Sequence, residues 1–318
     1  MKLLVTGGSG TLGSEICRVA ISDGITPIAY ARDPGKLLVN TPRGTIGTPG
    51  DIQDIHRLVE ICRKHEVTAV VHCAASKHVG ACEESPSSAC DINIRGVQNV
   101  LQAMDVCGIS RGTFVSSDKA CDSTVYGMSK LFGERLVSEA ARQRNQVINS
   151  VRLGNLIGSH GSVVDIWKRA AREHQPIILH TYMGETAKRF AMHTTEAARF
   201  VLDTLDHDAN PGAVFFRDMP VLDMDVLRQA VAPEADVILK PMLLRHLHQA
   251  IVAEYEQHHV FRNDSGACVL DYTPRGTVHS DSVPCSTKDV LCLGLHETRE
   301  WLNRLPLVPI DNPRNVCS

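Results

Sequence analysis

The sequence predicts an α/β fold, a doubly wound parallel sheet with a smaller C-terminal domain. Three observations carry this. Short apolar runs alternate with segments of helical spacing through the first half of the chain. The first run, Lys2-Leu3-Leu4-Val5, leads through a glycine-rich turn into a helix, the Rossmann-type opening. Beyond about residue 155 the alternation breaks down.

The glycine turn is Thr6-Gly7-Gly8-Ser9-Gly10-Thr11-Leu12-Gly13, with Ile16, Val19 and Ala20 following at helical spacing. Gly7, Gly10 and Gly13 permit a tight turn. They also let a pyrophosphate approach the backbone of Gly7, Ser9, Gly10, Thr11, Leu12 and Gly13. After a strand and before a helix, this is a dinucleotide signal rather than an ordinary loop. The second strand, Ile25 to Tyr30, ends in Ala31-Arg32-Asp33. An acid first at this strand end would bond a ribose 2′-hydroxyl. Arg32 stands first, which suits a 2′-phosphate and favours NADP over NAD. Asp51 and Ile52 are expected beside the adenine, and Asp54 caps the next helix. The strand Val67 to Cys73 runs into Cys73, Ala74, Ala75 and Ser76, small residues at a strand end where a cofactor would lie. Lys77 and His78 follow, as substrate contacts or as solvated loop residues. Asp91 to Val106 reads as one helix, with Asn93 under the site or bonded locally.

Thr113-Phe114-Val115 is a buried strand that ends in hydroxyls, Ser116-Ser117-Asp118-Lys119-Ala120. The segment from Tyr126 to about Asn145 is helical, so Tyr126 and Lys130 share a face one turn apart. An ammonium beneath a phenol favours phenolate, so the Tyr126 pKa is expected to fall. That supplies a proton acceptor for oxidising a hydroxyl. Such a pair is common on helix surfaces, and its meaning depends on the glycine turn. Val147 to Leu153 is another strand, leading into Gly154-Asn155.

In the second part, Gly158 to Val164 is a glycine/serine loop. Through Ser159, Ser162 and Val163 it can present N–H groups to a substrate phosphate, or act as a linker. Asp165 to Glu173 is a helix and Ile177 to His180 a strand. Lys188-Arg189-Phe190 is expected in a loop, with Arg189 clamping a diphosphate. Thr194 or Thr195 caps a helix, Glu196 to Leu205, that returns to the first domain. Ala213 to Phe216 and Val237 to Leu239 belong to the second unit. Residues 257–290 receive no assignment, and His246, His248, His258 and His259 read as surface residues. The expected division is 1–155 for the dinucleotide domain, joined by 194–206, with 156–318 mainly binding substrate.

Composition narrows the function classes. The 318 residues are 43% hydrophobic, enough for a sizeable core, and the net charge of −3 gives no bulk attraction to nucleic acid. Eleven cysteines are scattered, without C-x-x-C or zinc spacing, so no metal is expected and the chain reads as cytoplasmic. No signal peptide or membrane-length apolar run is evident.

Together these motifs resemble the extended short-chain dehydrogenase/reductases. Among them the chain is most similar to the inverting UDP-N-acetylglucosamine 4,6-dehydratases of polysaccharide biosynthesis. The similarity spans roughly residues 1 to 205 and includes Ala74 to Val79, Ser116 to Ala120, Tyr126 to Lys130, Val151-Arg152-Leu153-Gly154-Asn155 and Arg189-Phe190. Asp118-Lys119 is the subfamily signal. The resemblance implies an oligomer and a nucleotide-sugar substrate, UDP-linked, with contacts from Lys77, His78, Asn155, Ser159, Ser162, Val163 and Arg189. It implies that Tyr126, supported by Ser117 and Lys130, serves C4 oxidation. Lys119 then removes the C5 proton and Asp118 helps the C6 hydroxyl leave. In this chain the segment Cys121-Asp122-Ser123-Thr124-Val125 lacks the family's proline and is one residue shorter. A 4-epimerase or 4-ketoreductase, or a nucleoside or nucleotide-sugar dehydratase of secondary metabolism, stays open as an alternative.

Overall fold

The computed structural model describes residues 1–144, 146–158, 162–206, 210–263, 266–272 and 283–304. Six parallel strands come first in the main sheet: β1 (Lys2–Thr6), β2 (Thr26–Ala31), β3 (Ile46–Pro49), β4 (Ala69–His72), β5 (Arg111–Ser117) and β6 (Val147–Leu153). Their spatial order is β3-β2-β1-β4-β5-β6. The middle strands are buried almost end to end, as strands covered by helices on both faces must be. The order reverses between β1 and β4. Ligands of such sheets bind in the crevice beyond the strand ends at that point.

The sheet continues past β6. Val214–Phe216 pairs parallel with β6, and Cys268–Leu270 and Val260–Arg262 add antiparallel beyond it. Sequence reading places Ala213 to Phe216 in the second unit and leaves 257–290 unassigned. The main-sheet edge instead takes Phe215 and Phe216, both buried in the same core as Val151 and Val269. Helix α1 (Thr11–Ser22) lies against the helix Thr194–Asp203. Thr195 bonds to Glu15, and Arg199 pairs with Asp23 across that contact. No threonine caps the second helix. His193 is its N-cap, without a side-chain bond, while Thr194 Oγ1 donates to the Ile157 carbonyl at 3.0 Å.

Two small sheets form the remainder. One joins Asn155–Ile157, Lys188–His193 and Val221–Asp223. The other joins Val237–Pro241, Ile177–Tyr182 and Glu185–Thr186. Trp167, Leu179, Leu222 and Leu227 pack between them. Lys188-Arg189-Phe190 is therefore strand, not loop, paired antiparallel with Asp223, Leu222 and Val221, and the strand goes on to pair Ala191–His193 with Asn155–Ile157. The expected single helix from Asp91 begins with a π turn, Asp91–Arg95, before regular helix from Gly96 to Val106. Among the described residues, no helix is long and apolar enough to cross a membrane, and no cluster of side chains suits a metal.

Candidate active site

The crevice is built first by the glycine turn. Gly7 has a φ of +70° and donates to the Tyr30 carbonyl at 2.8 Å. A Cβ there would meet Ala74 N at 2.8 Å, and one on Gly13 would meet Gly7 O at 2.3 Å. Any larger residue would push the turn away from β4 or from α1. Gly10 is the N-cap of α1, and the helix's first turn holds no acid. At the end of β2, Arg32 is exposed. Asp33 instead caps the helix Pro34–Asn40, accepting from Lys36 N at 3.0 Å. Asp51 is held the same way, accepting from Gln53 N at 3.0 Å, and Ile52 is buried against Gly96.

The end of β4 forms the facing wall. Thr6 Oγ1 and His72 Nδ1 lie 2.6 Å apart, and Ala74 N donates to the same threonine at 3.3 Å. Burial holds the Cys73 thiol up at about 12 and the His72 imidazole down at about 3, so both stay neutral. Asn93, in the π turn, bonds Ser76 from both ends of its amide, at 2.7 and 3.1 Å. The same amide donates to Ser129 Oγ at 2.9 Å, and Ser129 bonds the Tyr126 carbonyl at 2.7 Å. This buried side chain ties the Ala74–Ser76 segment to the helix that carries Tyr126. Sequence reading raised Asn93 without fixing its role, and it missed Thr6.

The reactive cluster lies where β5 ends. Ser117 Oγ donates to Asp118 Oδ1 at 2.8 Å, and Lys119 Nζ donates to Asp118 Oδ2 at 3.0 Å. Ser117 Oγ also accepts from Lys119 N at 3.2 Å, and the Tyr126 phenol lies near enough to feel both Ser117 and the Asp118 charge. Ser117, Asp118, Lys119 and Tyr126 lie together at the end of β5. Lys130 is placed differently. Its ammonium donates to the Val115 carbonyl at 2.6 Å and lies over the Phe114 ring, 4.4 Å from its centroid. Burial brings its pKa down to about 8. The expected lowering of the Tyr126 pKa does not occur. Burial, then the Asp118 charge, push it up to about 12, outweighing the lowering influence of Ser117. The shorter segment before Tyr126 closes as a turn, with Asp122 N donating to Lys119 O at 2.8 Å. Val125 N reaches Glu83 at 2.8 Å.

On the substrate side, the helix Val163–Arg172 starts at Ser162, which accepts from Asp165 N at 3.4 Å. Val163, Trp167, His180, Arg189, Met242 and His246 line a cavity of about 360 Å³. Arg189 spans from this cavity toward the reactive cluster. It donates to the carbonyls of Lys188 and His246 at 2.9 Å each. Burial lowers its pKa, opposed by the charges of Asp118 and Asp122. His246, read from sequence as an ordinary surface residue, is part of this wall. The Asn155 amide is turned inward instead, donating to Phe190 O at 2.8 Å and Gln249 Oε1 at 3.1 Å. These bonds tie Asn155 to the neighbouring strand Lys188–His193 and to Gln249. Lys77 and His78 are exposed at the crevice rim. Ser159 lies outside the described residues.

A family model described as "Polysaccharide biosynthesis protein" matches residues 3–241. The chain is 30% identical over 242 residues to the probable polysaccharide biosynthesis protein EpsC of Bacillus subtilis, covering 72% of this chain and 40% of that one. It is also 30% identical over 272 residues to a UDP-N-acetylglucosamine 4,6-dehydratase (inverting) of Campylobacter jejuni, covering 81% and 79%. In structure it is similar to Pen from Bacillus thuringiensis, with a TM-score of 0.84 at 23% identity over 96% of this chain and 98% of that one. The matched region takes in the glycine turn, the Ser117-to-Lys130 cluster and Arg189, and on that extent of similarity the chain belongs to the polysaccharide biosynthesis protein family.

Proposed function

We propose that this chain is a nucleotide-sugar 4,6-dehydratase using NADP. The observation that carries the reading is the Asp118–Lys119 pair, bonded to Ser117 and close enough to Tyr126 for the Asp118 charge to act on its phenol. A 4-epimerase or ketoreductase needs the serine and tyrosine but has no use for a second acid–base pair. The similarity to a protein named as an inverting UDP-N-acetylglucosamine 4,6-dehydratase points the same way and suggests a UDP-sugar.

The crevice fits a dinucleotide. A Cβ at Gly7 or Gly13 would fill the turn, and α1 opens with no acid to repel a pyrophosphate. Arg32 favours the 2′-phosphate, since Asp33 is engaged as a helix cap. Bound there, the nicotinamide would supply a reversible hydride acceptor.

The chain's own residues then divide the proton work. Tyr126 and Ser117 receive the C4 hydroxyl. Oxidation there acidifies the C5 proton, which Lys119 takes. Asp118 protonates the departing C6 oxygen. Arg189 and the cavity beyond it receive the diphosphate and nucleoside.

The test is incubation of purified protein with UDP-N-acetylglucosamine and NADP, with mass spectrometry of the nucleotide fraction. Loss of one water is expected. An isomer of unchanged mass would replace this reading with an epimerase.

A further inference from the structure

The strand Val237–Pro241 is the outer edge of its three-stranded sheet, paired on one side only, in parallel with Ile177–Tyr182. Every residue in it is exposed. The ladder shows which of its backbone groups stay free. Ile177 N donates to the Asp236 carbonyl at 2.7 Å, and Met242 N donates to the Thr181 carbonyl at 2.8 Å. Along a parallel strand, residues that bond the neighbour alternate with residues that face away from it. Asp236, Ile238 and Lys240 therefore spend their backbone on Ile177–Tyr182. Val237 and Leu239 turn their N–H and C=O groups outward, where no strand among the described residues pairs with them.

The side chains add an apolar stripe. Ile238 lies beside Ile178 on the outer face, at 46% and 43% exposure. Val237 and Leu239 share the inner face with the buried Ile177 and Leu179. Leu239 is nevertheless 63% exposed, because that core stops at the neighbouring strand. An edge this open is a template for another strand. Asp236 and Lys240 stand equally far from Ile238 on either side of it. Both are exposed, and neither is in an ion pair among the described residues.

We propose that this edge binds the same edge of a second copy of the chain, antiparallel about a two-fold axis at Ile238, so that two three-stranded sheets become one. The register follows from the pattern. Val237 of each copy exchanges both backbone bonds with Leu239 of the other, which satisfies the groups that face outward. Ile238 meets Ile238 and joins the two stripes. Asp236 of each copy stands opposite Lys240 of the other, at a position where cross-strand side chains come closest. A slip that sets Pro241 opposite Val237 loses a bond, since proline has no N–H. The opposite slip sets Asp236 against Ile238. A lone lysine would only discourage pairing at an edge. With an acid at the mirrored place, the edge is complementary to itself, as a two-fold contact requires. Ile178, His180 and Met242 line the cavity beside Arg189, so the joined sheet backs that wall in both copies.

The test is independent of the reaction. Sedimentation velocity of the full chain should give an oligomer. Lys240→Glu sets two acids opposite each other and Asp236→Lys sets two amines, so each alone should at least halve the mass. The double variant Asp236→Lys/Lys240→Glu restores opposite charges and should recover the wild-type mass. A second measurement does not depend on the charge variants folding. In Ile238→Cys the two introduced thiols face each other across the axis, with Cα atoms about 4.5 Å apart, within the reach of a disulfide. Mild oxidation should link two chains, and peptide mapping should place the link at position 238 in both. Leu239→Cys puts its thiols on the diagonal, and should link at least about tenfold less.

A monomeric wild-type protein overturns the proposal. So does an unchanged mass in both single charge variants, a double variant that stays dissociated, or an Ile238→Cys protein that links no better than Leu239→Cys. None of these results bears on the dehydratase reading, which stands or falls on its own assay.

Discussion

Two ionic clusters flank the helix Val125–Arg144, and they differ in how completely they are enclosed. Asp118 and Lys119 form a pair with one side toward solvent. Glu134, Arg152 and Glu256 form a triad at 0% side-chain exposure. Arg152 spends its guanidinium on both carboxylates at 2.7 to 2.9 Å, on the Ile251 carbonyl at 2.8 Å and on Tyr272 at 3.2 Å. Ser116 donates to Glu134 at 2.5 Å. A charged group whose every bond is filled is held in one protonation state. A pair with an open side can exchange protons. Ser116 and Ser117, adjacent on β5, face opposite ways and serve one cluster each.

The comparison is broken most severely at Arg152. Arg152→Ala strands two buried carboxylates and should cost about 3–5 kcal/mol in urea unfolding. The triple change Arg152→Met, Glu134→Leu, Glu256→Met should recover most of that loss, because apolar packing replaces the whole set. A loss under about 1 kcal/mol in the single variant would place the triad with ordinary surface pairs.

Asp118→Asn probes the open cluster. Water elimination should fall about 10²- to 10⁴-fold, while unfolding shifts by about 1 kcal/mol or less. A variant that loses as much stability as Arg152→Ala would make the two clusters alike.

Acid sharpens the contrast. Burial raises the Glu256 pKa, but Arg152 and Tyr272 together lower it below its ordinary value. The sign follows from linkage. A carboxyl with a depressed folded pKa contributes stability above its unfolded value of about 4.3, and loses it as pH falls through the lower folded value. Melting temperature should therefore drop steeply below about pH 4. Glu256→Gln should give a flatter acid limb, at a cost of about 1–3 kcal/mol at neutral pH.

The smallest effect belongs to the pair at the surface, Arg199 with Asp23, at 43% and 32% exposure. Arg199→Ala should cost about 0–1 kcal/mol and less in high salt. A larger, salt-insensitive loss would mean that this pair clamps α1 as the triad clamps β6.

The open cluster was legible in the sequence because its parts are local. A glycine turn after a strand, and a tyrosine and lysine one turn apart, are fixed by chain spacing. The triad was not. Arg152 lies 18 residues from Glu134 and 104 from Glu256, and no period links them. Lys188 and Arg189 read as loop because strand pattern assumes that charges point to water. Here Lys188 pairs with Asp223 at 3.5 Å and Arg189 binds carbonyls, so both fit a half-buried strand. The Tyr126 pKa went the other way because spacing places Lys130 near the phenol but cannot aim its ammonium. The aim was decided by the Val115 carbonyl.

The late completion of the main sheet bears on biosynthesis. A nascent chain that has reached the helix Thr194–Asp203 has made β1 to β6, but nothing yet covers the outer edge of β6. Val214–Phe216 has not paired there, and Arg152 has only one of its two carboxylates. An uncovered strand edge invites pairing with other chains. Such an intermediate should aggregate more readily than the finished fold. A fragment cut near residue 155 should collect in inclusion bodies, and refolding should succeed only with the segment through Leu270 attached in cis.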